Sequence, residues 1–160
     1  MSGFKSVVGH NDIIQYIQGA VEQDKVSHAY ILNGQRGSGK KMLARLFAMT
    51  LQCESGQSEP CGECRSCKQT KNGNQPDIIT IKHEKPSSIG VEDIRSQVNN
   101  DMGIKPYYGP KKIYIIGDAE KMTVQAQNAL LKTLEEPPEH VKFILATTEL
   151  RKLPATVLSR

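Results

Sequence analysis

Two groups of residues in this sequence have the types and the spacing to do chemistry. The first is Cys53, Cys61, Cys64 and Cys67, all the cysteines of the chain, gathered within fifteen residues. A C-x7-C-x2-C-x2-C spacing lets successive backbone turns present thiolates to one tetrahedral ion. Four sulfurs with no open position describe structural zinc rather than catalytic zinc. Two disulfides or four free thiols are the alternatives, and a cytosolic chain disfavours the first. The second group is Gly34-Gln35-Arg36-Gly37-Ser38-Gly39-Lys40-Lys41, between an apolar run (Ala29-Tyr30-Ile31-Leu32) and a helical one. Strand, glycine-rich turn and helix make the context of a P-loop, whose backbone N–H groups curl around phosphate. Gly34, Gly37, Ser38, Gly39 and Lys40 stand at the expected places.

The next position of a P-loop calls for Ser or Thr, whose hydroxyl holds Mg²⁺. Here it is Lys41, a cation where a cation should be coordinated. The partner half of such a site is an acidic residue at the end of a buried strand, with a Glu beside it that orients water. The apolar strand 113–116 ends in Gly117-Asp118-Ala119-Glu120, and neither register gives an Asp-Glu pair. Two parts of the same metal and water machinery are therefore missing. The expectation is a domain with degenerate Walker A and B motifs that does not hydrolyse ATP, with Asp118 left in the site.

These groups need a scaffold, and the apolar pattern supplies one. Strands are expected over 29–33, 77–81, 113–116 and 141–146. Helices are expected from Asn11 or Asp12 through Val21, over 39–53, from Val91 to Met102, and over 122–136, where Pro137-Pro138 stop the last. Buried faces are assigned to Leu43, Leu46, Phe47 and Thr50/Leu51, to Val91, Ile94, Val98 and Met102, and to Met122, Ala126, Ala129, Leu130 and Thr133. Apolar strands alternating with amphipathic helices indicate an α/β fold with a parallel sheet of about five strands flanked by helices. Residues 54–74 break the pattern: Gly, Ser, Glu, Gln and Cys replace the aliphatics, so a metal has to supply the folding free energy of an insertion over 53–72.

At 160 residues the chain is long enough for one domain with a real core, and that core is aliphatic, since Trp is absent. A net charge of +4 permits an anionic partner without demanding one. No signal-length or membrane-length apolar run occurs, so a cytoplasmic chain without membrane contact is expected. The four histidines (His10, His28, His83 and His140) are scattered, and none is assigned as a ligand. The abrupt stop at Arg160 leads us to expect a longer protein.

With these residues in view, the chain resembles the N-terminal AAA+ (RecA-like) domain of bacterial DNA polymerase III clamp-loader subunits. The likeness is carried by His28-Ala29-Tyr30, Gly37-Ser38-Gly39-Lys40, the four cysteines, the string Asn128-Ala129-Leu130-Leu131-Lys132-Thr133-Leu134-Glu135-Glu136-Pro137-Pro138, Phe143-Ile144-Leu145-Ala146-Thr147-Thr148, and Leu158-Ser159-Arg160. The resemblance implies one AAA+ domain over 1–160 with a zinc-binding insertion, and lid and collar domains that this chain lacks. It implies a place in DNA replication, within the nucleotidyltransferase complex that the DNA polymerase III holoenzyme forms. Two branches are open. The tau/gamma motor subunit carries Thr after the P-loop lysine and an Asp-Glu pair after the buried strand, and the delta-prime subunit has lost these. Lys41 and Gly117-Asp118 align the chain with the delta-prime branch. An active tau/gamma-type ATPase, or a subunit that binds nucleotide without hydrolysis, is the alternative. The partners implied are the other loader subunits (tau/gamma and delta) and, through the assembled complex, the sliding clamp and primer-template DNA. The resemblance also assigns Arg160 as an arginine finger given in trans to a neighbour's ATP, and Thr148 as the sensor at a strand end. A zinc-based DNA-binding module is a further alternative: Arg65, Lys68 and Lys71 give it a basic edge, but Glu54, Glu59 and Glu63 oppose it and no aromatic is there to stack on bases.

Overall fold

The sheet is parallel throughout, with strands in the order β1-β4-β3-β2, and everything else is placed by it. The computed structural model describes residues 11–23, 25–35, 39–55, 60–107, 111–135 and 137–149. In chain order the elements are α1 (Asn11–Glu22), β1 (Ala29–Asn33), α2 (Lys40–Gln52), α3 (Arg65–Lys71), β2 (Ile78–Thr80), α4 (Val91–Ile94), β3 (Lys112–Ile116), α5 (Val124–Glu135) and β4 (Val141–Thr147). A π-helical turn, Arg95–Asn99, continues α4, and a 3-10 turn, Ala119–Lys121, precedes α5. The α/β expectation is met, with four strands among the described residues where the sequence suggested about five.

Alternation along the strands divides the core into two layers. Tyr114, Ile116, Val141, Phe143 and Leu145 face Ile94, Val98, Ala126, Leu130 and Leu134 on one side. Ile113, Ile115, Ile144 and Leu32 face Ile17, Leu43, Leu46 and Phe47 on the other. Each such side chain removed from water stabilises the fold by roughly 1.5–3 kcal/mol. The three faces assigned from periodicity are the inward ones: α2 and α5 bury theirs, Ile94 and Val98 are fully buried, and Val91 and Met102 pack at the margin.

Helix starts follow local chemistry. The Asp93 carboxylate accepts from the Gly90 N–H at 2.8 Å, the returning half of a capping box. Gly39, at the start of α2, has φ of 86°, a left-handed value that favours glycine. The boundary before β3 differs from its polar sequence. Lys112 is only 1% exposed, because its ammonium donates to the Asp101 carboxylate at 2.7 Å and to the carbonyls of Asp101 and Ile104. The Tyr114 hydroxyl donates to the same carboxylate, and burial with that partner raises its pKa. Asn99 of the π turn donates to the Ala129 carbonyl and the Thr133 hydroxyl, which ties this turn to α5.

Register aligns the carboxyl ends of the strands. Asn33 pairs with Thr147, and Ile116 with Leu145, so the residues just after β1, β3 and β4 share one edge. In open α/β sheets that edge is where ligands bind.

Candidate phosphate cleft and metal centre

A cleft of about 520 Å³ opens at that edge, lined by Gly39, Lys40, Lys41, Met42, Asp118, Glu120, Lys121 and Thr148. Five of the residues singled out from sequence therefore meet here: Gly39, Lys40, Lys41, Asp118 and Thr148. Gly34 lies beside them and donates its N–H to the Thr147 carbonyl at 3.1 Å. Gly37, Ser38 and Arg160 lie outside the described residues.

The cations in the cleft are held by the protein itself. Lys40 is buried and donates to the Gln35 carbonyl at 3.1 Å. Lys41 reaches across to Asp118, with Nζ 3.3 Å from Oδ2. Lys121 approaches the same oxygen at 3.7 Å and donates to the Pro86 carbonyl. Partial burial pushes the Asp118 carboxyl up, but the charges of Lys41 and then Lys121, with their hydrogen bonds, outweigh it and hold its pKa below the ordinary value. Glu120, to which the sequence assigned no role, accepts from the Thr147 hydroxyl at 2.7 Å and the Thr148 N–H at 3.2 Å. Glu120 and Lys121 follow the strand end by only a few residues, which is the signal that could have drawn attention to them.

Magnesium does not fit this donor set. The Asp118 carboxylate already faces two ammonium groups, that of Glu120 holds the end of β4, position 41 offers no hydroxyl, and position 117 offers no side chain. A hard cation of this kind needs oxygens free to coordinate it.

The cysteines tell the opposite story. Sulfur atoms of Cys53, Cys61, Cys64 and Cys67 all lie within 4.8 Å of one another, and none forms a disulfide. Cys53 follows α2 directly, Cys64 caps α3 by accepting from the Cys67 N–H, and Cys67 lies in the first turn of α3. Backbone N–H groups of Cys61, Cys64 and Cys67 each point at a neighbouring cysteine sulfur, at 3.2 to 3.4 Å. Burial pushes the Cys53 thiol up, but hydrogen bonds from Ser55 and Cys61 outweigh it and bring it to about 6; burial raises Cys67. Four sulfurs this close, with N–H donors aimed at them, fit a metal ion such as zinc, which would tie the end of α2 to the insertion. Among the described residues no histidine joins the cluster.

The insertion is also fastened without metal. Arg45 on α2 donates to the carbonyls of Thr70 and Lys71, the C-terminal turn of α3. Gln75 donates to Ser66 at 2.7 Å, while Gln52, just before the insertion, ties the end of α2 to the carbonyls of Asp77 and Lys111. Helix α3 itself had no forecast, because seven residues without an aliphatic stripe give no periodic signal. One helix, α2, thus begins at the cleft and ends at the cysteines.

Comparison with known proteins places these features in context. A family model described as "DNA polymerase III, delta subunit" matches residues 9–160. The DNA polymerase III subunit tau/gamma of Haemophilus influenzae is 46% identical over 158 residues, which is 98% of this chain and 22% of that protein. The chain thus spans about a fifth of that relative's length. A DNA polymerase III gamma subunit-related protein of Thermotoga maritima superposes with a TM-score of 0.63 at 26% identity, over 92% of this chain and 43% of that one. RuvB, the Holliday junction branch migration motor of the same organism, shares the fold alone, with a TM-score of 0.61 at 16% identity over 100% of this chain and 45% of that one. The architecture is accordingly that of an AAA+-like α/β domain carrying a four-cysteine cluster. No helix of the described residues is long and apolar enough to cross a membrane.

Proposed function

The chain belongs to the DNA polymerase III clamp-loader subunit family, and within it we propose that the chain acts as a non-hydrolysing, delta-prime-type subunit. One observation carries this: Lys41 and Asp118, from the two halves of the P-loop machinery, are paired with each other at 3.3 Å. A carboxylate engaged by two lysines is a poor metal ligand, and without the metal and a water-orienting Glu there is little to drive γ-phosphate transfer. The subunit would complete a ring with tau/gamma and delta partners in the cytoplasm. That ring would open the sliding clamp and place it on primer-template DNA. Arg160 would serve as the finger to a neighbour's ATP, where a guanidinium stabilises the developing charge. Zinc held by Cys53, Cys61, Cys64 and Cys67 would be structural.

A second reading has a specific observation behind it. The 46% identity to a tau/gamma subunit favours an active ATPase with unusual ligands. Reconstitution with the other loader subunits separates the two. The delta-prime-type role predicts that Arg160→Ala lowers the complex's DNA-stimulated ATP turnover, while the isolated chain turns over no ATP with Mg²⁺. Mg²⁺-dependent turnover by the isolated chain would move it to the motor branch.

A further inference from the structure

The misfit between this cleft and magnesium has a structural basis that reaches beyond a missing ligand. A Cβ built on Gly117 would meet Lys41 Cε at 3.2 Å, with Nζ at 3.8 Å and Cδ at 3.9 Å. The lysine stem lies over the one position of the strand end that has no side chain. A side chain at 117 would press on this path of Lys41, whose stem would have to shift by a few tenths of an ångström. Lys41 and Gly117 thus belong to one arrangement, in which the absence of a side chain at 117 leaves the Lys41 stem its path.

We infer that the cleft takes the phosphate chain of a nucleotide without a divalent cation, with the Lys41 ammonium, laid across Gly117 and held by Asp118, supplying the charge a metal would bring. This deepens the proposal that the chain is a loader subunit with a retained P-loop, and rests on it. An ammonium has three donors and no acceptor, so the bond to Asp118 leaves two for phosphate oxygens. Lys40, Lys41 and Lys121 set three positive charges against the carboxylates of Asp118 and Glu120, which leaves one net positive charge on the lining. Helix α2, thirteen residues long, adds the partial positive charge of its N-terminus. Lysine suits the task because it acts as a point charge whose donors rotate, and so tolerates phosphate geometries that a magnesium octahedron would not.

The test is calorimetric titration of ADP and ATP into the protein, once in Mg²⁺ and once in EDTA. Native protein is expected to bind in EDTA at least as tightly as in Mg²⁺, where the cation competes with Lys41 for the phosphate oxygens. Lys41→Met, at an exposed position, is expected to weaken binding about tenfold or more in both, the loss of a charge-assisted hydrogen bond. The double variant Lys41→Thr with Gly117→Asp is expected to bind in Mg²⁺ and to lose that binding in EDTA. Native binding that collapses in EDTA overturns the inference, as does no native binding in either buffer, or a Lys41→Met protein that binds as well as the native one. Should the double variant not fold, Lys41→Met and the native EDTA comparison still decide. Failure here leaves the loader proposal standing, since that is read from assembly and from Arg160→Ala.

Discussion

The cysteine cluster and the phosphate cleft sit at opposite ends of α2, and they differ in what their residues are doing. In the cluster, four like ligands converge from a short segment, and backbone N–H groups point at their sulfurs. In the cleft, cations and carboxylates converge from segments as far apart as Lys41 and Asp118, and have been turned on one another. One region is an intact donor set with a place for an ion. The other is a cleft beside a P-loop-like sequence, in which the charges answer one another. A scaffold can thus keep a binding architecture while exchanging the chemistry inside it, provided the exchange satisfies the charges it leaves.

The sharpest way to break this comparison is to remove a ligand from the cluster. Cys67→Ser is expected to lose a stoichiometric zinc ion and to expose the insertion to protease. Structural zinc contributes on the order of 10 kcal/mol in small metal-dependent modules, so the effect should be the largest of the set. Metal analysis of the purified protein reads it, and retention of one zinc per chain would show that the four sulfurs are not a ligand set. Arg45→Ala comes next. It removes the donor to the Thr70 and Lys71 carbonyls, and about 1–2 kcal/mol of stability by chemical denaturation is expected. An unchanged midpoint would mean that α2 is not what fastens the insertion. Gly117→Ala should cost less, about 0.5–1 kcal/mol, because the neighbour that must shift is the flexible end of an exposed lysine. A cost of several kcal/mol would mean that the Lys41 stem cannot move aside.

The smallest effect belongs to the ion pair itself. The side chains of Lys41 and Asp118 are 66% and 28% exposed, so solvent screens the pair and Asp118→Asn should change stability by about 0–1 kcal/mol. Its pH dependence has a definite sign. The folded pKa of Asp118 is lowered, so the contribution is fully present above the ordinary Asp value and is lost as pH falls through the lowered one. Melting curves of native protein and Asp118→Asn should therefore converge in acid; divergence on acidification would contradict the pairing.

How much of this could be read without coordinates follows from the range of each interaction. The cluster was legible because its ligands are close in sequence and of one type. Strand 113–116 and the faces of α2 and α5 were legible because burial on a sheet imposes a period. Lys112 was not: it falls just outside the strand expected over 113–116, and only Asp101 and the carbonyls of Asp101 and Ile104, brought in from the preceding loop, explain its burial. Nor was the π turn at Arg95–Asn99 legible, since its contact to α5 spans thirty residues or more. Lys41 and Gly117 could each be seen to depart from an ATPase, but that one makes room for the other is a fact of three dimensions.

The central claim is that this chain holds the form of an ATPase without performing its reaction. The most direct measurement is Mg²⁺-dependent ATP turnover by a clamp loader reconstituted with the native chain and with every other subunit's phosphate-binding lysine replaced by Ala. Any turnover that remains belongs to this chain. No turnover above background is predicted, because Asp118 is engaged by Lys41 and Lys121 and position 117 carries no ligand. Turnover that appears with Mg²⁺ and vanishes with EDTA would contradict the account and return the chain to the motor branch of its family.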